Sequence, residues 1–198
     1  MKLQILYGAA FAAALIVGAS ANSSVGPAAA PPLSPEAAKH FHDFDYLVGD
    51  WKVAHHELKA RLAGSHEWLD FDGTSKLHMI LDGYGTYDEN TINKPTGSYK
   101  GVTIRTFDPK TGIWSVYWLD SRFPGVMDDE PMHGNFDGNT GTFLGTTTAN
   151  GKPVKVRYIW KLLPPNGATW EQAFSPDDGK TWETNWEMKL TRVSALSN

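Results

Sequence analysis

The chain has 198 residues, a formal net charge of −4, no cysteine and 12% aromatic residues. The lack of cysteine excludes disulfides, thiol catalysis and a lipid-modified N-terminal cysteine. A mildly acidic balance without a basic run argues against nucleic acid as a partner.

Met1-Lys2 is followed by an apolar run from Leu3 to Val17, and Ala19-Ser20-Ala21 fits the small-x-small cleavage pattern. One positive charge, a short apolar stretch and that site predict a secretory signal peptide over 1–21. The expected location is therefore periplasmic or secreted, with no membrane contact after cleavage. An uncleaved anchor is the competing reading, but the Ala-rich stretch is barely long enough to span a bilayer. Lys2 is the one charged residue in 1–21, so cleavage takes the net charge from −4 to −5. Residues 22–35 are rich in Ala, Pro and Ser and read as a flexible spacer. One domain is expected over 36–193, with 194–198 as a tail, and it is large enough to build a core without disulfides.

Ser34 suits a helix N-cap, Pro35 the first helical position and Glu36 the positive end of the dipole. The predicted helix runs to about Phe44, with Phe41, Phe44 and Leu47 facing the domain and plugging one end of it. Beyond Gly49 no helical period is sustained. Strands are predicted near 49–58, 65–71, 74–81, 85–92, 99–107, 113–120, 132–137, 141–148, 153–162, 168–175 and 182–192. Asp72-Gly73, Asp137-Gly138 and Asn150-Gly151 read as hairpin turns. Asp108 to Gly112 and Pro164 to Gly167 read as longer ones. A meander of this kind predicts an all-β, closed antiparallel up-and-down barrel with eight to eleven strands. A β-sandwich is the alternative.

Turn positions also predict registers. A two-residue loop at Asp72-Gly73 sets Trp68 opposite Leu77. The same loop at Asn150-Gly151 sets Phe143 opposite Tyr158. Phe107 opposite Ile113 brings Val102 to Trp118 and Lys100 to Asp120. Phe174 opposite Trp182 brings Trp170 to Trp186 and Gln172 to Thr184, and a loop at 163–167 brings Trp160 to Trp170. Large apolar groups then share one face, as a one-sided core requires. The result is an inward row Trp160–Trp170–Trp186, with Tyr158, Gln172 and Thr184 one step along. Arg157, Glu171, Asn185, Glu187 and Lys189 fall on the outer face.

Reactive motifs are few. His56-Glu57 and His66-Glu67 lack a second His at metalloprotease spacing, and the glycines from Gly145 to Gly151 do not form a phosphate loop. No metal or cofactor is expected. Ser175 to Trp182 matches the Asp-box pattern Ser-x-Asp-x-Gly-x-Thr-Trp, read here as a self-bonded turn with Trp182 packed beneath it. His55 alternates with Trp51 and Val53, so it points inward, where a His can bond a ligand or act as a base. Asp120 at a strand end is the candidate to orient it, or to pair with Lys100. Eight Trp, seven Tyr and nine Phe are the main signal. They either fill a solid core or line a pocket, and a barrel of ten strands favours the pocket.

The segments Phe44 to Trp51, Gly101 to Arg105, Tyr117 to Arg122, Trp170 to Ser175 and Trp182 to Trp186 resemble a bacterial family known as domain of unknown function 1579. The resemblance runs from about Phe44 to Arg192 and implies a lipocalin-like (calycin) barrel. It implies no activity and no catalytic residues. Gly49-Asp50-Trp51 is also similar to the Gly-x-Trp opening of lipocalins and fatty-acid-binding proteins. Haem-binding nitrobindins are similar in architecture, but they need a ligating His near the C-terminus, and the last His here is His133.

The expected function is binding of a small apolar or aromatic molecule by an exported barrel. The expected contacts are Trp51, His55, Trp118, Tyr158, Trp160, Trp170, Gln172 and Trp186. The alternative is a cofactor-free isomerase, cyclase or hydrolase using His55 and Asp120 on such a molecule. A solid-core interaction module is the third reading. Oligomeric state is left open.

Overall fold

The computed structural model describes residues 30–127 and 130–194. The expected signal peptide over 1–21 lies outside the described residues. Ten antiparallel strands form one closed barrel: β1 (Gly49–Leu58), β2 (Trp68–Ile80), β3 (Gly85–Lys94), β4 (Gly97–Asp108), β5 (Ile113–Asp120), β6 (Met132–Asp137), β7 (Thr140–Ala149), β8 (Lys152–Leu163), β9 (Gly167–Ser175) and β10 (Glu183–Ser194). Each pairs with the next in sequence, and β10 closes on β1. Closure leaves no edge strand to template aggregation. This is the up-and-down architecture expected from the turn signals.

Alternation builds the interior. On β8, Val154, Val156, Trp160 and Leu162 are buried while Lys155 and Lys161 are exposed. The Asn150-Gly151 loop has φ of 51° and 73°, as a two-residue primed turn requires. It sets Phe143 opposite Tyr158 and Gly145 opposite Val156, the expected register.

Three expected registers are corrected. Asp72-Gly73 is no hairpin: β2 runs straight through it, with Gly73 opposite Val53 and Ile92. A Cβ on Gly73 would stand 2.4 Å from the Thr91 carbonyl oxygen and 2.7 Å from His55 Nε2. The glycine therefore marks a close approach inside a strand, not a turn. The β1–β2 turn lies further back, closed where Lys59 N–H donates to Glu67 C=O at 2.9 Å. The second correction is a one-residue slip between β4 and β5. Asp108 faces Ile113, so Thr103 meets Trp118 and Gly101 meets Asp120. Asp108 accepts from Lys110 N–H and Thr111 Oγ, which fixes a four-residue loop where a five-residue one was expected.

The third correction concerns β10. Phe174 faces Glu183 instead of Trp182, and a bulge between Thr184 and Trp186 adds a second residue, so Trp186 lies opposite Gln172 and Met188 opposite Trp170. The extra residue, Asn185, is fully buried and accepts from Gln172 Nε2 at 2.7 Å. Thr184 turns outward and donates to Glu171 at 3.1 Å. A bulge puts two successive side chains on nearly the same face, so Asn185 leaves the outer row in which alternation had placed it. Arg157 and Glu171 stay outside as an ion pair at 3.6 Å.

The front helix is shorter than expected. Helix α1 covers Ala37–His40, and a 3-10 turn covers Asp45–Leu47. Ser34 Oγ accepts from Ala37 N–H at 3.0 Å, as its capping role requires. The plug itself is present. Phe44 is wholly buried, its ring 4.9 Å from Trp114, 5.4 Å from Phe136 and 5.8 Å from Phe143. Trp114 Nε1 donates to His40 C=O, and Asp43 accepts from Phe136 N–H. These bonds tie the segment across one end of the barrel.

Candidate functional site

Behind the plug lies a cavity of about 830 Å³. Its size falls within the range of small-molecule pockets, ~300–1,000 Å³. It reaches the far mouth, where β1 ends at Leu58 and β4 begins at Gly97. Two unlike walls enclose it. Tyr158 and Trp160 of β8, Trp170 and Phe174 of β9 and Trp186 of β10 form the aromatic wall. Tyr158 and Trp170 rings are 4.9 Å apart, and Trp170 meets Trp186 edge-on at 5.8 Å and 86°. The three tryptophans are thus neighbours as expected, but the bulge makes the last contact a T rather than a flat continuation. Gln172 is the polar member of this wall, held by Asn185.

The facing wall is polar. Ser75 of β2, Asp88 and Asn90 of β3, and Thr103 and Arg105 of β4 all line the cavity. Arg105 and Asp88 are both buried and paired at 3.2 Å. Asp88 also accepts from Thr103 N–H at 3.0 Å and Asn90 Nδ2 at 3.2 Å. Arg105 lies 4.8 Å from the Phe44 ring, so the pair abuts the plug. Alternation on β3 and β4 marks these residues as inward-facing. A charged residue at an inward position of a predicted strand was the signal that the sequence reading passed over.

His55 is buried and lines the cavity. Its ring stacks on Phe71 at 4.7 Å, and Nδ1 accepts from Trp186 Nε1 at 3.2 Å. That bond places the proton of the neutral ring on Nε2. Burial lowers its pKa to about 4, with nearby Lys94 adding to the effect. The unfolded chain takes up this proton near the ordinary value of 6.5. His55 therefore gives its full stability above pH 6.5 and loses it as pH falls towards 4. The melting midpoint should fall between pH 6.5 and 4, and His55→Gln should flatten that fall. Parallel slopes in the two proteins would refute the assignment.

Asp120 does not serve His55. It binds Arg122 through both oxygens, at 3.0 and 2.7 Å, and accepts from Trp118 Nε1 at 3.1 Å. The Arg122 bond holds its carboxyl near 2. Lys100 is exposed on the outer face. Trp118 lines the cavity with its ring seated over Gly101, where a Cβ would come within 2.1 Å. Trp51 is not among the lining side chains. It lies at the plug end, donating to Leu47 C=O at 2.8 Å under the Arg192 guanidinium at 4.1 Å.

The Asp-box turn is built as its residues suggest. Asp177 accepts from Ser175 Oγ, Thr181 N–H and Thr181 Oγ at 2.7–2.8 Å, and Trp182 Nε1 donates to Gly179 C=O. These bonds hold the Asp177 carboxyl near 2. Every oxygen contact closes the turn, and Asp177 is not among the cavity-lining residues. Among the described residues no cluster of three or more metal-ligating side chains occurs.

One similar solved structure is described as "The Siderocalin Ex-FABP functions through dual ligand specificities". It is 10% identical, with 77% of each chain covered and a TM-score of 0.31. No curated protein matches the chain. A family model covers residues 36–192, which takes in the plug, both cavity walls and every strand but the last two residues of β10. The chain belongs to the family described as protein of unknown function (DUF1579).

Proposed function

We propose that this protein is an exported binder of a small apolar or aromatic molecule, carried inside the barrel. The supporting observation is the cavity of about 830 Å³ with one aromatic wall and a few convergent polar groups, the usual make-up of a small-molecule site. An enzyme working through His55 and Asp120 has less support, because each side chain is engaged elsewhere: His55 with Trp186, Asp120 with Arg122 and Trp118.

Native mass spectrometry of the protein recovered from its own host tests both halves of the proposal. The expected result is a chain beginning at Asn22 that carries an extra mass, which leaves on denaturation. A full-length chain retained in the inner membrane would overturn export. A bare chain that also fails to take up neutral aromatic probes would overturn binding.

A further inference from the structure

Cationic side chains cluster at the open mouth: Arg61 and Arg122 line the cavity, and Lys94 lies just behind the lining, against the rings of Trp186 and Tyr99 and, outside it, Phe71. Lys94 Nζ lies 5.6 Å from the Phe71 ring, 5.7 Å from Trp186 and 5.9 Å from Tyr99. Arg61 lies 5.5 Å from Phe174 and 5.7 Å from Trp186. Arg122 stacks on Tyr99 at 3.8 Å. Each is within reach of a favourable cation–π contact.

The carboxylates do not match them one for one. Lys94 and Arg61 share a single partner, Glu57, at 2.5 and 2.8 Å. Asp120 is taken up by Arg122. Glu130 also lines the cavity, but it accepts from Thr146 on β7 at 3.1 Å. In the barrel order β7 stands across from β2, away from the Glu57 cluster. Within the Lys94, Arg61 and Glu57 cluster one positive charge is therefore left over, while Asp72, exposed on β2, accepts from Asn93 Nδ2.

A second observation points to a ligand. Tyr99 is buried and lines the cavity, yet its hydroxyl has no hydrogen-bond partner among the described residues. Burial pushes its pKa up to about 12, so it keeps its proton and can donate. An unmatched cation and an unused buried donor in one place suit an acceptor that carries negative charge.

We infer that the cavity takes an amphipathic organic anion, its apolar body against the tryptophan wall and its carboxylate, or like group, at the mouth beside Arg61 and Tyr99, with the Lys94 charge close behind them. This rests on the binding reading above and names the chemistry of the ligand.

Two fluorescent probes of similar body separate the ideas: anionic anilinonaphthalene sulfonate and neutral phenylnaphthylamine. Both are titrated into the folded protein, with energy transfer from tryptophan as the readout. The anionic probe should bind about tenfold more tightly, and added salt should narrow that gap. Lys94→Gln should weaken the anionic probe by roughly tenfold and leave the neutral one unchanged. Glu57→Gln should act in the opposite direction, strengthening the anionic probe, because it frees a second cation. Equal binding of the two probes, or indifference of the anionic one to Lys94→Gln, would overturn the anion inference while the cavity reading stands. Binding of neither probe would overturn both.

Discussion

Arg105→Met is expected to destabilise the barrel by about 3–5 kcal/mol, the usual cost of breaking a buried ion pair from one side. Both partners are buried, and Asp88 holds Arg105 at 3.2 Å. Removing the guanidinium leaves a carboxylate in the interior with only Thr103 N–H and Asn90 Nδ2 to support it. Two neutral hydrogen bonds do not replace the lost charge partner. The double variant Asp88→Asn with Arg105→Met should recover most of the loss, because a neutral amide can keep the Thr103 bond and no charge remains. Urea unfolding of the single and double variants, followed by tryptophan fluorescence at pH 7, reads the difference. A single variant within 1 kcal/mol of the parent would mean that water reaches the pair freely through the cavity.

The pair also bears on the choice between a solid and a hollow barrel. In a solid core, Asp88 and Arg105 would meet only side chains packed against them. Here they form part of a polar wall facing the tryptophans across open space. Arg105 Nε has no partner among the described residues. The polar wall thus offers a bound molecule hydrogen bonds deep in the barrel as well as at its mouth.

The strands and their inward faces were legible in the sequence because alternation and turn residues are local signals. β1, β5 and β6 have the expected limits. The tryptophans of β8 and β9 meet as the turn geometry dictates, Trp160 facing Trp170. What local signals cannot carry is the demand that one strand makes on another. Gly73 reads as a turn residue beside Asp72, but its reason is the Thr91 carbonyl and the His55 ring on the two neighbouring strands. The bulge at Asn185 has no residue signature in β10 itself. Its logic lies in Gln172 across the ladder, which needs the buried amide as its acceptor. Asp120 failed as a partner for His55 because Arg122, two residues away, claims it first. The mouth cluster joins Glu57, Arg61 and Lys94 from two separate stretches of the chain, so only the closed barrel reveals it.

Phe44→Ala should cost about 3–5 kcal/mol, as aromatic-to-alanine changes in a packed interior do. Phe44 is fully buried, with Trp114, Phe136, Phe143 and the Arg105 guanidinium around its ring. Those neighbours sit on β4, β5, β6 and β7, so the plug residue links strands that pair only with their immediate neighbours. The β5–β6 ladder is the shortest in the barrel, with three residue pairs from Trp114 to Met132, and the Phe44 ring spans it by touching Trp114 on one side and Phe136 on the other. Its loss should therefore loosen the barrel at that seam first, and amide exchange in β5 and β6 should rise more than in β1 or β8. Trp186→Ala gives the contrast. That ring is half-buried and faces the cavity, so its removal leaves little new void, and the cost should stay below about 2 kcal/mol. Probe affinity should follow the opposite order. Phe44 does not line the cavity, so the Phe44 variant should still bind at temperatures where it remains folded, whereas the Trp186 variant should lose part of the aromatic wall and bind less tightly. If both variants lost stability alike and neither changed probe affinity, the interior would be behaving as one packed core, and the binding function proposed for this barrel would fall with it.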